Sequence, residues 1–551
     1  MADWFYKQLI QFILKEKPTS QEIAQEKIRI AGLHKLPKIP SNFEILLHAQ
    51  AEDVPRLKLF LKTKPTRTLS GVAPLALFTK PTKCPHGKCA MCPGGPESAF
   101  GETPQSYTGH EPAARRAARN EYDAYLQIFN RLEQYTVLGH PVNKVEIIIM
   151  GGTFPALDLK YQNQFVTDIF AALNDFSDLF FQNKEIDFEK FKEFFLLPGD
   201  IGALNRVEEV KKKVLALKKD NTLELVQEKN EISTVRCVAM CIETRPDYCK
   251  EEHIKQMLKL GCTRVELGVQ AIDNKLLEKV ERGHTVEDSI VATKLLRDNF
   301  LKVGYHLMIG LPGSSKTKDV NMFKTVFADE NFLPDFIKIY PCLVVKGTKL
   351  YEMWQDNSYQ PLSVEKAMEI ILKAKKFVPE YTRIMRIMRD IPETQIEAGP
   401  KQTNIRQLVL QQKPNCKCIR CREYGTRIKQ GVKVNSNKKT YRVTKYKAAK
   451  GIEYFIQCED SATDTLLGFC RLRIVNKEAG IRELHVYGEM IALGEPGVIQ
   501  HTGIGKELIK MAEKLAKGKK LSIISGVGVR GYYKKLGYEH VGDYMVKQNY
   551  L

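Results

Sequence analysis

Long apolar runs are missing from this sequence. No 18 consecutive residues are uniformly apolar, so no membrane-spanning helix is expected. The opening Met1-Ala-Asp3-Trp4-Phe-Tyr-Lys7 carries acid early and does not read as a secretory leader. Evenly spaced cysteines are missing too. The 13 cysteines are clustered, which argues against a disulfide framework and for metal ligation in a reducing compartment. The expectation is a cytoplasmic chain that does not associate with membrane.

Acid is scarce in one place. Residues 401–450 hold 15 Lys/Arg and a single acidic residue, Glu423, a local net of +14. Residues 1–83 hold 14 basic and 7 acidic side chains, a net of +7. The whole chain carries +20. So concentrated a charge repels itself unless a polyanion neutralises it. Phosphates are the natural partner, because lysine and arginine contacts to them release counterions. The expected partner is therefore a nucleic acid.

At 551 residues, with 43% hydrophobic content, the chain is long enough for several globular domains. Residues 1–63 read as a basic helical region for RNA binding. Residues 64–400 alternate apolar runs with amphipathic helices. The strands read are Gly71–Phe78, Val145–Met150, Val235–Ile242, Arg264–Val269, Val303–Ile309 and Phe336–Tyr340, with helices such as Pro112–Gln134 and Asp288–Asn299. This is the pattern of a parallel sheet closed, or nearly closed, into an α/β barrel. Residues 176–231, rich in Lys, Glu and Phe, interrupt it as a helical insertion. Residues 401–445 form a basic connector, and 446–551 a small α+β domain.

Cys84, Cys89 and Cys92 stand at C-x4-C-x2-C with no fourth thiol at that spacing. Three thiolates can hold three irons of a [4Fe–4S] cluster. The fourth iron is then open to S-adenosylmethionine, whose reduction can release a 5′-deoxyadenosyl radical. With His86 nearby, the same spacing also suits a structural zinc. Gly151 and Gly152 end the second strand, where glycines let a ligand approach the backbone. Glu243 ends the third and can accept both hydroxyls of a ribose, or else pair with Arg245 or Arg282. Gln270 ends the fourth and can order an adenine or a substrate carbonyl.

The connector carries Cys416, Cys418 and Cys421 at C-x-C-x2-C, enough thiolates for one zinc with a fourth ligand from elsewhere. Arg406, Lys417, Arg420 and Arg422 surround them and are candidates for phosphate contacts. In the C-terminal domain, Gln500, Gly503, Gly505 and Lys506 form Q-x-x-G-x-G-K before an amphipathic helix, a cradle for a pyrophosphate. Tyr532 and Tyr533 follow and can protonate a leaving thiolate; core packing is the other reading of each. His485 and Glu489 are candidate bases.

The ordered set of cysteines, glycine pair and polar strand ends resembles the radical S-adenosylmethionine superfamily, with its partial barrel. The C-terminal domain resembles the GNAT acetyltransferases, which implies acetyl-CoA. The strings KPTRTLSGVA (64–73), CPGG (92–95), PQSYTGHEPAARRAARNEYDAYLQ (104–127), GGTF (151–154), ETRPDYC (243–249), RVELGVQ (264–270), RGHTV (282–286), IRQLV (405–409) and CKCIRCRE (416–423) are similar to the family of Elongator catalytic subunits. That resemblance covers about residues 60–551. It implies carboxymethylation of carbon 5 of the wobble uridine in a tRNA anticodon stem-loop, with acetyl-CoA as cosubstrate. It also implies a structural zinc in the connector, an electron donor and accessory subunits. The four-residue cysteine gap departs from the commoner C-x3-C-x2-C. The string Val303–Pro312 departs from the family's usual His-Met-Met-Pro-Asp-Leu-Pro. The alternative function is a protein lysine acetyltransferase with a structural Fe–S domain.

Overall fold

The computed structural model describes residues 2–63, 68, 71–402, 404–435, 438–488 and 503–549. Seven strands build the first sheet: β1 Ala73–Phe78, β2 Lys144–Met150, β3 Arg236–Thr244, β4 Arg264–Gln270, β5 Lys302–Ile309, β6 Phe336–Pro341 and β7 Arg383–Ile387. They pair in chain order and every pair is parallel. Right-handed crossovers between neighbours laid down in one direction put every connecting helix on the same face. The other face curls around a lumen, and β1 and β7 remain unpaired with each other. The partial barrel is therefore present. Its seventh strand was not expected, because Arg383 and Arg386 stand three residues apart across a bulge and break the alternation that marks a strand.

Two helical expectations are adjusted. The stretch from Pro112 divides into helices Pro112–Arg119 and Ala124–Val137, because Glu121 and Tyr122 take φ of +55° and +57°. The insertion begins inside a long helix, Leu159–Phe180, and continues as helices Phe188–Phe194, Leu204–Leu217 and Leu223–Asn230. A packed cluster of Phe176, Phe180, Phe191 and Phe195 holds it, and Arg206 pairs with buried Glu133 on the outer helix layer. The N-terminal helices Ala2–Glu16 and Ser20–Leu33 bury Phe5, Leu9, Ile13 and Ile30 in a core continuous with the barrel's. No described helix is long and apolar enough to cross a membrane.

The second sheet contains β8 Lys439–Ala448, β9 Gly451–Asp460, β10 Thr465–Val475, β11 Glu478–Val486, β12 Lys519–Ile523, β13 Glu539–Val541 and β14 Tyr544–Asn549. Its order is β8-β9-β10-β11-β12-β14-β13. Strand β8 begins at Lys439, so the expected boundary at 445 falls inside it. The one parallel pair described in this sheet, β11 with β12, is matched only from Glu478↔Lys520 to Ile481↔Ile523. Strand β11 runs on to Val486, so the two strands part into a wedge. The helix Ile504–Leu515 stands beside that wedge.

This second domain docks on the barrel floor, at the amino ends of the strands. Its turn Val527–Val529 lies against β3 so closely that a Cβ on Gly526 would meet Val238 O at 2.1 Å. A buried charge network completes the joint. Arg482 donates to both oxygens of Asp335, at 2.8 and 2.6 Å, and reaches Glu453. Arg297 and Arg473 pair with Glu453 at 2.7 and 3.0 Å. Three arginines hold the Asp335 carboxyl well below the usual carboxylate range although burial opposes this. Removing one partner from such a network costs about 3–5 kcal/mol, because a charge is left buried and unpaired.

Candidate active site

The loop after β1 carries Cys84, Cys89 and Cys92. Because β1 pairs with β2 up to Phe78↔Met150, this loop meets Gly151 and Gly152. Both glycines take left-handed φ, +114° and +76°. A Cβ on Gly151 would sit 2.8 Å from Thr79 Oγ1, and one on Gly152 would sit 3.6 Å from Cys84 Sγ. The glycine pair thus follows from backbone conformation and from close approach to the cysteine loop.

Each sulfur has its own neighbour. Thr153 Oγ1 lies 3.5 Å from Cys84 Sγ. Arg282 Nη1 lies 3.5 Å from Cys89 Sγ, and His86 Nε2 lies 3.1 Å from it. The Ser106 N–H donates to Cys92 Sγ at 3.1 Å. Burial, with the neighbouring Cys89, pushes the Cys92 thiol up to about 11. A ring of N–H and O–H donors around three thiols fits an anionic iron–sulfur cluster, whose sulfurs accept such bonds.

Glu243 ends β3 as expected, yet neither Arg245 nor Arg282 pairs with it. Arg245 forks onto Asp247, and Arg282 donates to Gly268 O at 2.8 Å. The partners of Glu243 are Lys338 Nζ at 2.7 Å and Tyr107 OH at 3.3 Å. Lys338 also meets Glu266 at 2.5 Å, and His306 Nε2 meets Glu266 at 2.7 Å. The ammonium of Lys338 sits between two carboxylates, which raise it well above the lysine range against the effect of burial. Ligand atoms of Glu243, Glu266 and His306 lie within 4.8 Å of one another, but the Lys338 ammonium supplies the positive charge beside these carboxylates. Lys338, His306 and Glu266 were missed in the sequence. Their signal was the period-2 alternation that turns them to the lumen. Gln270 ends β4 at φ +66°, and its buried Oε1 accepts no hydrogen bond.

In the wedge of the second sheet, Gly503 takes φ +87° at the start of the Ile504–Leu515 helix. A Cβ on Gly505 would come within 3.2 Å of Tyr532 OH. Tyr532, Gly503, Gly505, Lys506 and His485 all line one cavity. Tyr533 borders the same cavity but is 6% exposed and packs in the domain core against Tyr538. Gln500 and Glu489 lie outside the described residues.

In the connector, the three sulfurs of Cys416, Cys418 and Cys421 lie within 4.8 Å of one another. Hydrogen bonds from Cys416 and Cys421 hold the Cys418 thiol well below the usual thiol range. Lys375, 3% exposed, points its ammonium at Cys421 Sγ, 3.6 Å away. The basic residues divide by type. All ten lysines between 401 and 450 are exposed. Arg422 is not a phosphate contact: it is 4% exposed and bonds Asp464, Gln457 and Glu459. Arg406 donates to the carbonyls of Met385 and Ile384. Arginine's fixed fork suits such buried pairing, whereas lysine's hydrated ammonium stays in water.

Four family models match this chain: the ELP3 N-terminal domain over residues 5–69, the Radical SAM superfamily over 80–325, the Radical SAM C-terminal domain over 334–413 and the Acetyltransferase (GNAT) family over 427–538. Human Elongator complex protein 3 is 35% identical over 570 residues, covering 98% of this chain and 95% of that one. The chain belongs to the Elongator complex protein 3 family. Within the family, the tRNA uridine(34) acetyltransferase of Methanocaldococcus infernus is 43% identical over 580 residues, 100% of both chains. That of Methanocaldococcus jannaschii is 44% identical over 96% of this chain and 94% of its own. The solved structure of Methanocaldococcus infernus Elp3 lacking residues 1–46 matches with a TM-score of 0.70 at 40% identity, covering 87% of this chain and 100% of that one. The radical SAM half-barrel and the GNAT domain are thus those of the family.

Proposed function

We propose that the chain is a tRNA carboxymethyluridine synthase that modifies carbon 5 of the wobble uridine in the anticodon stem-loop, using acetyl-CoA. One observation carries this reading. One barrel bears the cysteine loop at its carboxyl end and a GNAT wedge at its floor, which an acetyltransferase alone does not need. Relatives named for tRNA uridine(34) support the substrate.

Cys84, Cys89 and Cys92 hold the cluster. Gly151 and Gly152 leave backbone room for the amino-acid end of S-adenosylmethionine. Glu243, oriented by its bond from Lys338, accepts the ribose hydroxyls, and the spare Oε1 of Gln270 accepts from an adenine amino group. When bound, the cluster and S-adenosylmethionine supply the one-electron chemistry that no side chain provides. Gly503, Gly505 and Lys506 receive the CoA pyrophosphate at a helix start. As water adds to the thioester carbonyl and the C–S bond breaks, Tyr532 gives its proton to the departing CoA thiolate; burial raises that phenol, so it holds the proton until a thiolate takes it. Tyr533 supports it from the core. Cys416, Cys418 and Cys421 hold a zinc ion that stiffens the connector, with the Lys375 ammonium offsetting thiolate charge. The exposed lysines of 401–450 meet tRNA phosphates, so that a loop uridine can be read unstacked. An external electron donor completes the reaction.

The test is mass spectrometry of tRNA after incubation with S-adenosylmethionine, reductant and acetyl-CoA. A carboxymethyl increment on the wobble uridine is expected. An unmodified uridine with fully loaded iron overturns the reading. Acetylated lysine without 5′-deoxyadenosine would favour a protein acetyltransferase instead.

A further inference from the structure

The wedge and the cysteine loop lie at opposite ends of the barrel, and one cavity leads from the first toward the second. It measures about 1300 Å³. At one end it is lined by Tyr532 and Gly505; at the other it enters the barrel floor, where Glu146, Ile148, Ala239, Arg264 and Phe336 line it. The strand registers put these residues on the lumen face: Glu146 pairs with Ala239, and Ile148 with Cys241, which in turn pairs with Arg264. A parallel barrel of this kind is normally filled by branched apolar side chains in layers. Here the lumen is charged and, at its floor, open.

Arg264 stands at the inner end of the cavity. Its guanidinium bonds Glu146 and lies 5.3 Å from the Phe336 ring. Nη2 approaches Glu266 at 3.2 Å without the alignment of a hydrogen bond, Nε has no oxygen or nitrogen acceptor, and the buried Cys241 thiol is the guanidinium's other polar neighbour. Arg264 is 6% exposed. Buried donors left unused need an explanation, and a guanidinium is well matched to a carbonyl or carboxylate oxygen. Beyond Arg264, Glu266 leads to Lys338, and Lys338 to Glu243, the residue assigned to the ribose. From Arg264 to Gln270 the strand climbs six residues, about 20 Å. A slender pantetheine arm suits such a passage.

We infer that the barrel lumen is the passage through which the acyl end of acetyl-CoA approaches the S-adenosylmethionine face, and that Arg264, held between Glu146 and Glu266, closes this passage and binds the thioester carbonyl when it opens. This rests on the carboxymethylation reading for its purpose, though not for its test. Arg264 acts here as a positioning residue: its N–H groups donate to the acyl oxygen in place of Glu146. Glu146, whose side chain is 16% exposed at the cavity wall, is then left to water.

Three measurements on the full chain decide it. Ala239→Cys puts a thiol at the lumen floor, and chloroacetyl-CoA is the probe; the thiolate displaces chloride. Labelling by this probe should outpace labelling by chloroacetamide at least about tenfold, because binding delivers the electrophile. Equal rates overturn the passage. Acetyl-CoA should bind more tightly than CoA by about tenfold, the value of a hydrogen bond to a charged donor. Arg264→Met should erase that ratio and Arg264→Lys should restore part of it; an unchanged ratio in Arg264→Met overturns the role of Arg264. Finally, Ala239→Trp fills the floor. With acetyl-d3-CoA, it should retain cofactor binding but pass no deuterium into 5′-deoxyadenosine. Transfer equal to wild type overturns the passage. If wild type itself transfers none, the carboxymethylation reading fails, while the labelling result still decides the passage. If Ala239→Trp does not fold, the labelling result decides alone.

Discussion

Cys84, Cys89 and Cys92 each turn their sulfur to a different neighbour, whereas Cys416, Cys418 and Cys421 turn theirs toward one another. In the first triad Thr153, Arg282 and the Ser106 N–H stand around the thiols. In the second, the sulfurs close to within 4.8 Å and face a buried lysine. The difference follows from the segments that carry them. The first triad lies on a loop whose four-residue gap makes a turn, with Cys84 bridged to Gly87. The second is compressed into six residues, with Cys418 capping the short helix Ile419–Arg422. A spread set of thiols with outside donors suits a cluster, and a closed set suits one tetrahedral ion. Cysteine spacing alone does not separate these outcomes; the neighbours do.

The sharpest way to break the comparison is to exchange one sulfur in each triad. Cys89→Ser should abolish reductive cleavage of S-adenosylmethionine and remove iron, while zinc content and tRNA affinity persist. Iron and zinc analysis with a filter-binding assay checks this, and loss of zinc in that variant would erase the distinction. Cys418→Ser should do the reverse. Zinc falls, iron stays, and the C-terminal half melts several degrees lower, because structural metal binding contributes folding free energy. The exposed lysines of 401–450 should then bind tRNA less tightly, with the loss largest at low salt.

How much of this was legible in the sequence varies by residue. Gly151 and Gly152 were, because a left-handed backbone leaves a glycine behind. The cysteines were, from their close spacing, and Glu243 was, since it ends a recognisable strand. Lys338 and Glu266 were not, although their strands were placed correctly. Reading strands one at a time does not show which residues share a rung, and only the register brings Lys338 between two carboxylates. Tyr532 and Tyr533 are neighbours in sequence and equal there. On a short helix they point in different directions, one toward Gly505 and the other into the core. The connector's charge was legible as a total. Its division into exposed lysines and arginines engaged in pairs was not, because Arg422 finds its partners 35 to 42 residues downstream.

Smaller perturbations test the surroundings of the first triad. Gly152→Ala leaves every ligand in place, and its Cβ would sit at an ordinary 3.6 Å from Cys84 Sγ. Its effect is conformational, since φ of +76° disfavours an L side chain by about 1–2 kcal/mol. Affinity for S-adenosylmethionine should fall about tenfold with iron content retained, measurable by equilibrium dialysis. Arg282→Gln should retain the cluster and lower its reduction potential by roughly 50 mV, the equivalent of a lost hydrogen bond near 1 kcal/mol for one electron. The matching change beside the second triad, Lys375→Met, should leave that potential unmoved. A shared response would mean that the two sites are coupled.

The smallest effect expected concerns acid. Glu380, five residues after Lys375, ties the connector side of the barrel to β8. It accepts from Arg442 at 2.8 and 2.7 Å and from Thr444 at 2.5 Å. Burial pushes its carboxyl up, but these bonds outweigh burial and bring it to about 2. An unfolded glutamate titrates near about 4.3. The folded state therefore binds fewer protons between those values. The stabilisation is whole above about pH 4.3 and is lost as pH falls through about 2. Acid also protonates thiolates and releases zinc, so the two losses overlap in the native chain. Glu380→Gln separates them. It should unfold more readily than wild type at neutral pH, and the gap should narrow as pH falls from about 4.3 toward 2, as the wild-type carboxyl takes up its proton. Denaturation of zinc-free Cys418→Ser with and without Glu380→Gln checks this. A gap that stays constant across that window would place the pH response in the thiols alone.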